Sequence, residues 1–228
     1  MPETTHTPAA AHAGGRAART APVGGRAKRA VDLLVAVPAC AALAPAMGLI
    51  ALWVRRDSPG PAIFRQRRVG AFGRPFTVLK FRTMVQDAER IGPGLAVTED
   101  DARITRSGRL LRRLSLDELP QLWNVVRGDM SLVGPRPTVP SQVERYTPRQ
   151  RRRLEARPGL TGRAQVRGRA SLPWSARIEI DIEYVDTWSM RLDLAILART
   201  VRVVLAKEGT YKGATGGFDL PAAAAADG

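Results

Sequence analysis

The sequence predicts a mainly α-helical protein with a small β-hairpin, held at a membrane by one apolar N-terminal segment. Residues 30–54 form a single apolar run of 25 residues, which as a helix would be roughly 37 Å long and could cross a hydrocarbon core of about 30 Å. Two β-rich stretches around a glycine-rich turn follow it, and helix caps and helical spacing dominate the remainder. The sequence shows neither a fixed repeat nor a sustained heptad, which argues against a solenoid or a coiled coil.

Composition divides the chain into four segments. Residues 1–27 and 213–228 are rich in small residues and lack periodicity, so we expect them to be disordered tails. Residues 28–56 form the membrane segment, and residues 57–212 form the remaining folded domain.

The flanks of the apolar run bear on its course through the membrane. Basic residues lie at 26–29 and again at Arg55–Arg56, and the positive-inside rule draws both ends to the cytoplasmic face. A straight span cannot satisfy both flanks. Pro45 removes a helical hydrogen bond near the middle of the run and favours a re-entrant helix that returns to the same face. A straight span, a cleaved signal segment and a buried soluble helix remain alternatives at this point.

The domain begins with the predicted hairpin. Strands are expected over 62–69 and 75–83, joined by residues 70–74. Alternation along the second strand places two apolar and two basic side chains on one face: Phe76, Val78, Lys80 and Arg82. Caps and periodicity predict helices over four further segments: 83–91, 107–114, 148–156 after a Thr147 cap, and 193–206.

The net charge points to an anionic partner. The chain carries 36 Lys plus Arg against 21 Asp plus Glu, for a net charge of +15. Residues 103–169 hold sixteen arginines and five acids, so +11 of this charge lies there. The partner could be a nucleic acid, an anionic lipid or a phosphorylated small molecule, and a merely solvated basic face is the bland alternative. Cys40 is the only cysteine, and His6 and His12 both lie in the N-terminal tail. Disulfide scaffolds and cysteine zinc sites are thereby excluded, and a histidine base is disfavoured.

Two adjacent carboxylates, Asp117 and Glu118, lie inside this basic region. Ser115 and Glu118 have the spacing of a helix capping box, so a structural role is one interpretation. The other is phosphate chemistry. Arginines would hold substrate phosphates, one acid would attack phosphorus, and its neighbour would hold a divalent cation.

Five blocks of sequence, in this order, carry a family resemblance: KFRTM at 80–84, ITRSGR at 104–109, LRRLSLDELPQL at 111–122, GDMSLVGPRP at 128–137 and PGLTG at 158–162. Together they closely resemble the bacterial sugar transferase family, the monotopic phosphoglycosyl transferases that act on polyprenyl phosphate. The resemblance covers roughly residues 28–209.

The resemblance implies a reaction and its residues. Asp117 would be the nucleophile that attacks the β-phosphate of a UDP-sugar, releasing UMP and leaving a phosphosugar on the enzyme. Undecaprenyl phosphate would then take the phosphosugar, the first membrane step of exopolysaccharide, capsule, O-antigen or glycoprotein glycan assembly. Glu118 would bind Mg²⁺. Basic residues at family motif positions would contact phosphates: Lys80, Arg82, Arg112 and Arg136.

The resemblance also implies a re-entrant helix kinked at Pro45, a catalytic domain at the cytoplasmic face of the cell membrane, contact with membrane lipids, and room for a homodimer. The sequence departs from many relatives at Ala44, where they have serine, and at Arg163, where they have tryptophan. Rival functions are a nucleic-acid-binding protein, disfavoured by 5% aromatic residues, and a non-catalytic membrane-anchored scaffold, disfavoured by the intact acid pair. The sequence does not name the sugar.

Overall fold

A computed structural model describes residues 21–91, 101–168 and 172–205 of the chain. The described helices are α1 (Gly25–Asp57), α2 (Arg106–Arg113), α3 (Gln121–Arg127), α4 (Pro140–Val143), α5 (Pro148–Arg151), α6 (Arg163–Arg167), α7 (Trp174–Thr187) and α8 (Met190–Leu205). The strands are β1 (Ile63–Val69), β2 (Pro75–Phe81), β3 (Ser131–Val133) and β4 (Gly159–Thr161). Single 3₁₀ turns lie at Ala71–Gly73, Ala88–Arg90, Leu116–Glu118 and Arg152–Glu155. The mainly helical prediction with a small hairpin is confirmed.

The N-terminal tail predicted over 1–27 is wrong for its last residues. Helix α1 begins at Gly25, and the side chain of Val23 is only 2% exposed, in the main hydrophobic core. The Val23 backbone N–H also donates to the Glu155 carbonyl at 3.0 Å. One buried valine in a small-residue segment is a long-range contact that composition does not reveal. The predicted tail residues 1–20 and 213–228 lie outside the described residues.

Helix α1 packs on the domain along its whole length. Buried and half-buried side chains recur every three or four residues on one face: Lys28, Asp32, Ala36, Cys40, Leu43, Met47, Ile50 and Val54. The opposite face exposes large apolar side chains, with Leu34 74% and Leu49 70% exposed. By length and composition, this helix could cross a membrane.

The helix does not end at either proline. Pro38 and Pro45 both lie inside α1, so no interruption is present at Pro45. Pro45 is on the exposed face, while Leu43 and Met47 pack against the domain on either side of it. These contacts hold the helix where proline removes a hydrogen bond. The re-entrant course stays a prediction.

The hairpin is confirmed. Strands β1 and β2 pair antiparallel, with Ile63 opposite Phe81 and Val69 opposite Pro75. The helix predicted over 83–91 is wrong, because Met84 forms an antiparallel bridge with Ile104 and only residues 88–90 make a 3₁₀ turn. Backbone pairing with the segment before α2 therefore overrides the local helical pattern there.

Strand β3 leads into the segment 135–137 and pairs in parallel with β4. Ser131 pairs with Gly159 and Val133 with Thr161. The strands continue into a close backbone approach, since a Cβ added to Gly159 would lie 2.1 Å from the Gly134 nitrogen. Any side chain at Gly159 would push the two backbones apart. Glycine is therefore required at this first residue of β4, which lies beside Gly134.

The predicted Thr147 cap is confirmed, and α2 has a cap that the sequence patterns did not predict. Thr105 caps α2 by accepting from the Gly108 N–H at 3.0 Å, and Thr147 forms a complete capping box with Gln150. The helix after Thr147 is shorter than predicted, because α5 ends at Arg151 and continues as a 3₁₀ turn. Helix α8 begins at Met190, three residues before the prediction. Helix α7, which the sequence patterns did not predict, packs against the 3₁₀ turn after α5.

A buried ion pair joins the start of α1 to α8. Lys28 Nζ lies 2.5 Å from Asp193 Oδ2, and the two side chains are 4% and 5% exposed. The carboxylate also accepts from the Tyr184 hydroxyl at 2.7 Å and from the Trp188 indole N–H at 3.0 Å. A buried charge is tolerated when such partners replace its water.

Replacing Asp193 with alanine should destabilise the fold strongly, because it leaves the Lys28 ammonium buried without its counter-ion. We expect a loss of about 3 kcal/mol or more in the free energy of unfolding, measured by thermal or chemical denaturation of the full chain in detergent. Leu194→Ala, at the exposed neighbouring position, is the matched control and should change the midpoint little. Equal effects of the two variants would contradict a stabilising ion pair.

Candidate active site

The acid pair lies on the 3₁₀ turn Leu116–Glu118 between α2 and α3. The capping-box interpretation of Ser115 and Glu118 is not supported by the structure. Ser115 adopts a left-handed conformation, with φ 56°, and its side chain makes no cap hydrogen bond. This backbone geometry is uncommon for a non-glycine residue. The turn instead directs the Glu118 side chain towards two cations.

Glu118 is the centre of two ion pairs. Its Oε1 atom accepts from Arg136 Nη2 at 2.8 Å and from Lys80 Nζ at 3.3 Å. The three side chains come from different parts of the chain. Lys80 is on β2, Glu118 is on the 3₁₀ turn, and Arg136 is on the segment that follows β3. The site therefore forms only when the hairpin and the β3–β4 pair are both in place.

The two carboxyl groups differ in their pKa values. Burial would raise the pKa of Glu118, but the charges and hydrogen bonds of Arg136 and Lys80 outweigh it and lower this pKa to about 2. Burial raises the pKa of Asp117 to about 6, and the neighbouring Glu118 charge adds to the rise, against the pull of Lys80, Arg112 and Arg136. The charge of Asp117 is therefore the less well compensated of the two.

Three of the four predicted phosphate-binding residues act on the acid pair. Arg136 and Lys80 contact Glu118 directly, and Arg112, in the last turn of α2, acts on Asp117 through its charge. Burial lowers the pKa of the Lys80 ammonium, with Arg136 acting in the same direction and Glu118 opposing it.

Arg82 is placed elsewhere. Its guanidinium donates to the Ser58 carbonyl at 2.7 Å and to the Pro59 carbonyl, just beyond the end of α1. Strand β2 ends at Phe81, so Arg82 no longer follows the alternation that places Lys80 at the acid pair. The contacts of Arg82 among the described residues are those of a helix-terminus cap. Its phosphate role receives no geometric support.

Arg68 is a cation near the site that the sequence patterns did not single out. Its Nη1 atom donates to the Pro137 carbonyl at 3.2 Å, and its Nη2 atom donates to the Gln66 side chain. Burial, together with the charge of Arg136, lowers the pKa of Arg68 to about 10. Strand pairing could have indicated that Arg68 lies on the same face of the hairpin as Lys80. Residues opposite each other in an antiparallel pair share a face, and Arg68 lies opposite Phe76.

The acid pair fits a magnesium ion that shares its coordination with a substrate. Both ion pairs of Glu118 use Oε1, so within the described part of the chain Oε2 stays available. No group of three or more metal-ligating side chains occurs in residues 21–91, 101–168 and 172–205. A hard cation bound here would need phosphate oxygens and water to complete its shell, which is how Mg²⁺ is commonly held.

Arg163, at the position where the sequence departs from many relatives, has a structural partner set. Its guanidinium donates to the Thr187 hydroxyl at 3.1 Å and pairs with Glu183. Both partners are on α7, so Arg163 ties α6 to α7.

Asp117→Asn should stabilise the protein at neutral pH. The folded chain holds the Asp117 proton more tightly than the unfolded chain, because the pKa is about 6 rather than 3.8. Ionisation therefore costs stability as the pH rises between these values, up to about 3 kcal/mol. We expect a higher melting temperature for Asp117→Asn in EDTA at neutral pH, with the gain shrinking as the pH falls through 6 towards 4. Asp87→Asn, at an exposed position, is the control. A gain that is independent of pH would show that the Asp117 charge is not its source.

Comparisons with known proteins cover most of the chain. The family model "Bacterial sugar transferase" matches residues 23–207. An uncharacterized sugar transferase, EpsL, of Bacillus subtilis is 50% identical over 156 residues, which cover 68% of this chain and 76% of the relative. The UDP-glucose:undecaprenyl-phosphate glucose-1-phosphate transferase of Caulobacter vibrioides is 47% identical over 193 residues, covering 81% and 72%. The undecaprenyl-phosphate galactose phosphotransferase of Salmonella typhimurium is 41% identical over 200 residues, covering 81% of this chain and 41% of the relative.

The match spans α1, the acid pair and the cations around it, and the blocks that suggested the resemblance lie within it. The chain belongs to the bacterial sugar transferase family.

Proposed function

We propose that the protein transfers a sugar 1-phosphate from a UDP-sugar to undecaprenyl phosphate, giving undecaprenyl-diphosphate sugar and UMP. The observation that carries the proposal is the anionic Asp117–Glu118 pair held among Lys80, Arg112 and Arg136. This arrangement places a carboxylate nucleophile beside cations that attract phosphates. Relatives named for glucose 1-phosphate and galactose phosphate transfer to undecaprenyl phosphate support the same reaction class.

In the first step, a carboxylate oxygen of Asp117 attacks the β-phosphorus of the donor. The bond from this phosphorus to the bridging oxygen breaks, and UMP leaves with the electron pair. In the second step, an oxygen of undecaprenyl phosphate attacks the same phosphorus and the bond to Asp117 breaks. The carboxylate is regenerated, and the mechanism is ping-pong. The attack uses the ionised form of Asp117, so the step needs no separate general base.

The surrounding residues divide the electrostatic work. Lys80 and Arg136 keep Glu118 ionised and supply positive charge where donor phosphates would lie. Arg112 offsets the charge of Asp117. A magnesium ion held by Glu118 would supply charge neutralisation on the donor phosphates. The low pKa of Glu118, about 2, would keep its carboxylate able to hold such an ion throughout the physiological pH range.

The packing of α1 supports a monotopic location, and the positive-inside rule favours the cytoplasmic face for it. One domain contacts the helix from Lys28 near its start to Val54 near its end. A helix that crossed the bilayer directly would place these two ends on opposite sides, beyond the reach of one polar domain. Exposed apolar side chains on the other face, including Leu34 and Leu49, would contact lipid. A homodimer stays an expectation from the resemblance.

The nucleophile is tested by UMP release without lipid acceptor. The full chain in detergent should release about one UMP per active site from its preferred donor in a panel of UDP-sugars, because Asp117 retains the phosphosugar. Asp117→Asn should release none, although the variant is folded. EDTA should stop release and Mg²⁺ should restore it.

Asp87→Asn is the control for this experiment and should behave as the wild type. Undiminished release by Asp117→Asn would remove Asp117 from the role. A folded wild-type chain that releases no UMP from any donor, with undecaprenyl phosphate present, would support the scaffold alternative. The panel also identifies the sugar, which the acid pair does not select.

The topology is tested by cysteine accessibility in a Cys40→Ala background. Ala21→Cys and Pro61→Cys introduce single thiols at exposed positions before and after α1. If the helix returns to the cytoplasmic face, an impermeant maleimide should label neither thiol in intact cells and both thiols after the cells are permeabilised. Labelling of one thiol in intact cells and of the other only after lysis would establish a straight span.

A further inference from the structure

The backbone that carries Arg136 is held by two other arginines. Arg153 Nη2 donates to the carbonyl of Arg136 itself at 3.1 Å, and Arg68 Nη1 donates to the carbonyl of Pro137 at 3.2 Å. A third hydrogen bond, from the Gly159 N–H to the Pro135 carbonyl at 2.9 Å, holds the preceding residue. Each of three successive carbonyls therefore has a donor from a different part of the chain.

Arg153 is buried, and its guanidinium contacts several partners. Its side chain is 2% exposed, and its guanidinium pairs with Asp181 Oδ2 at 2.5 Å. A further Nη1 bond reaches the Tyr146 hydroxyl at 2.7 Å, and the Trp174 ring centre lies 5.4 Å from the guanidinium carbon. A planar group fixed on several sides has little rotamer freedom left, so its bond to Arg136 is directed.

Arg68 contributes from a different element of the fold. It is on β1, whereas Arg153 follows α5, so the hairpin and the helical part of the domain meet at residues 135–137. The proline after Arg136 already disfavours an α conformation there. The two guanidinium bonds then fix what proline alone leaves open, namely the position of the peptide groups relative to Glu118.

We propose that Arg153, with Asp181, and Arg68 are positioning residues for Arg136. They hold the backbone of residues 136–137 so that the Arg136 guanidinium lies on Glu118 and faces the donor phosphates. The inference rests on the proposed function for its kinetic test. Its consequence is that these arginines influence catalysis through Arg136, without touching substrate.

A purely structural role for Arg153 makes a different prediction. A buried ion pair that only stabilises the domain would affect activity equally whether or not Arg136 is present. A positioning role requires Arg136 as the intermediary. The two are separated by a double-mutant cycle, in which two residues that act through one contact give non-additive effects.

The experiment measures kcat/KM for UMP formation from the preferred donor of the panel, with undecaprenyl phosphate and Mg²⁺. Arg153→Lys keeps the charge but loses the planar fork, and should lower kcat/KM by ~10- to 100-fold in the otherwise wild-type chain, because small misplacements of catalytic groups cost up to that much. In an Arg136→Met background, the same substitution should cost less than about threefold. Arg68→Met is the second variant and should show the same pattern, so the test survives if Arg153→Lys fails to fold.

Arg152→Lys is the matched control. Arg152 is the neighbouring residue and also pairs with α7, through Asp186, but has no bond to residues 135–137 among those that the structure describes. It should leave kcat/KM unchanged in both backgrounds. Losses from Arg153→Lys and Arg68→Met that persist fully in the Arg136→Met background would overturn the proposal, as would full activity of both folded variants.

Hydrogen exchange separates failure of this inference from failure of the proposed function. In the wild-type background, Arg153→Lys and Arg68→Met should each speed amide exchange in peptides spanning 134–139, and Arg152→Lys should not. If the wild-type chain releases no UMP, the proposed function fails while the exchange result still decides whether these arginines hold the segment. Unchanged exchange in both folded variants would reject the positioning role.

Discussion

The structure depends on the placement of one carboxylate, Glu118, between two cations that arrive from distant parts of the chain. Lys80 is brought by the hairpin and Arg136 by the segment after β3, and both bind the same oxygen. The same arrangement sets the asymmetry of the acid pair. The cations lower the pKa of Glu118, whereas Asp117, half-buried beside that anion, has its pKa raised. The charge of Glu118 is thus compensated and that of its neighbour Asp117 is not, at a cost in stability.

Much of this site could be predicted from local sequence, and the exceptions have a common cause. The acid pair, the hairpin, the Thr147 cap and Lys80 follow from adjacent residues or from strand alternation. The position of Arg82 could not be predicted in this way, because alternation stops where β2 ends and the side chain turns to the carbonyls after α1. Arg68 was missed for the opposite reason. It obeys the alternation of β1, but its importance depends on a contact with Pro137, 69 residues away.

The basic residues before the apolar part of α1 are mostly engaged in contacts within the protein. The basic cluster before the apolar run suggested cytoplasmic anchoring, but Lys28 is buried on Asp193, and Arg29 donates to the Val125 and Val126 carbonyls at 2.5 and 2.7 Å. Those carbonyls lie in the last turn of α3, where a cation also meets the negative end of the helix dipole. Of this cluster, Arg26 stays exposed. The proposal that both ends of α1 lie on one side of the membrane therefore rests more on the continuous packing of α1 against the domain than on counting charges.

The same packing links the apolar helix to the candidate active site. Asp32, on the buried face of α1, accepts from the Ser131 hydroxyl at 2.9 Å and from the Leu132 N–H at 3.0 Å. Those residues belong to β3, which leads directly into the segment carrying Arg136. A carboxylate inside an apolar helix is costly unless its partners are fixed, so the position of α1 and the position of β3 depend on each other. The helix is therefore part of the architecture that sets Arg136 on Glu118, and removing it as a mere anchor would expose the core and release the strand on which the site depends.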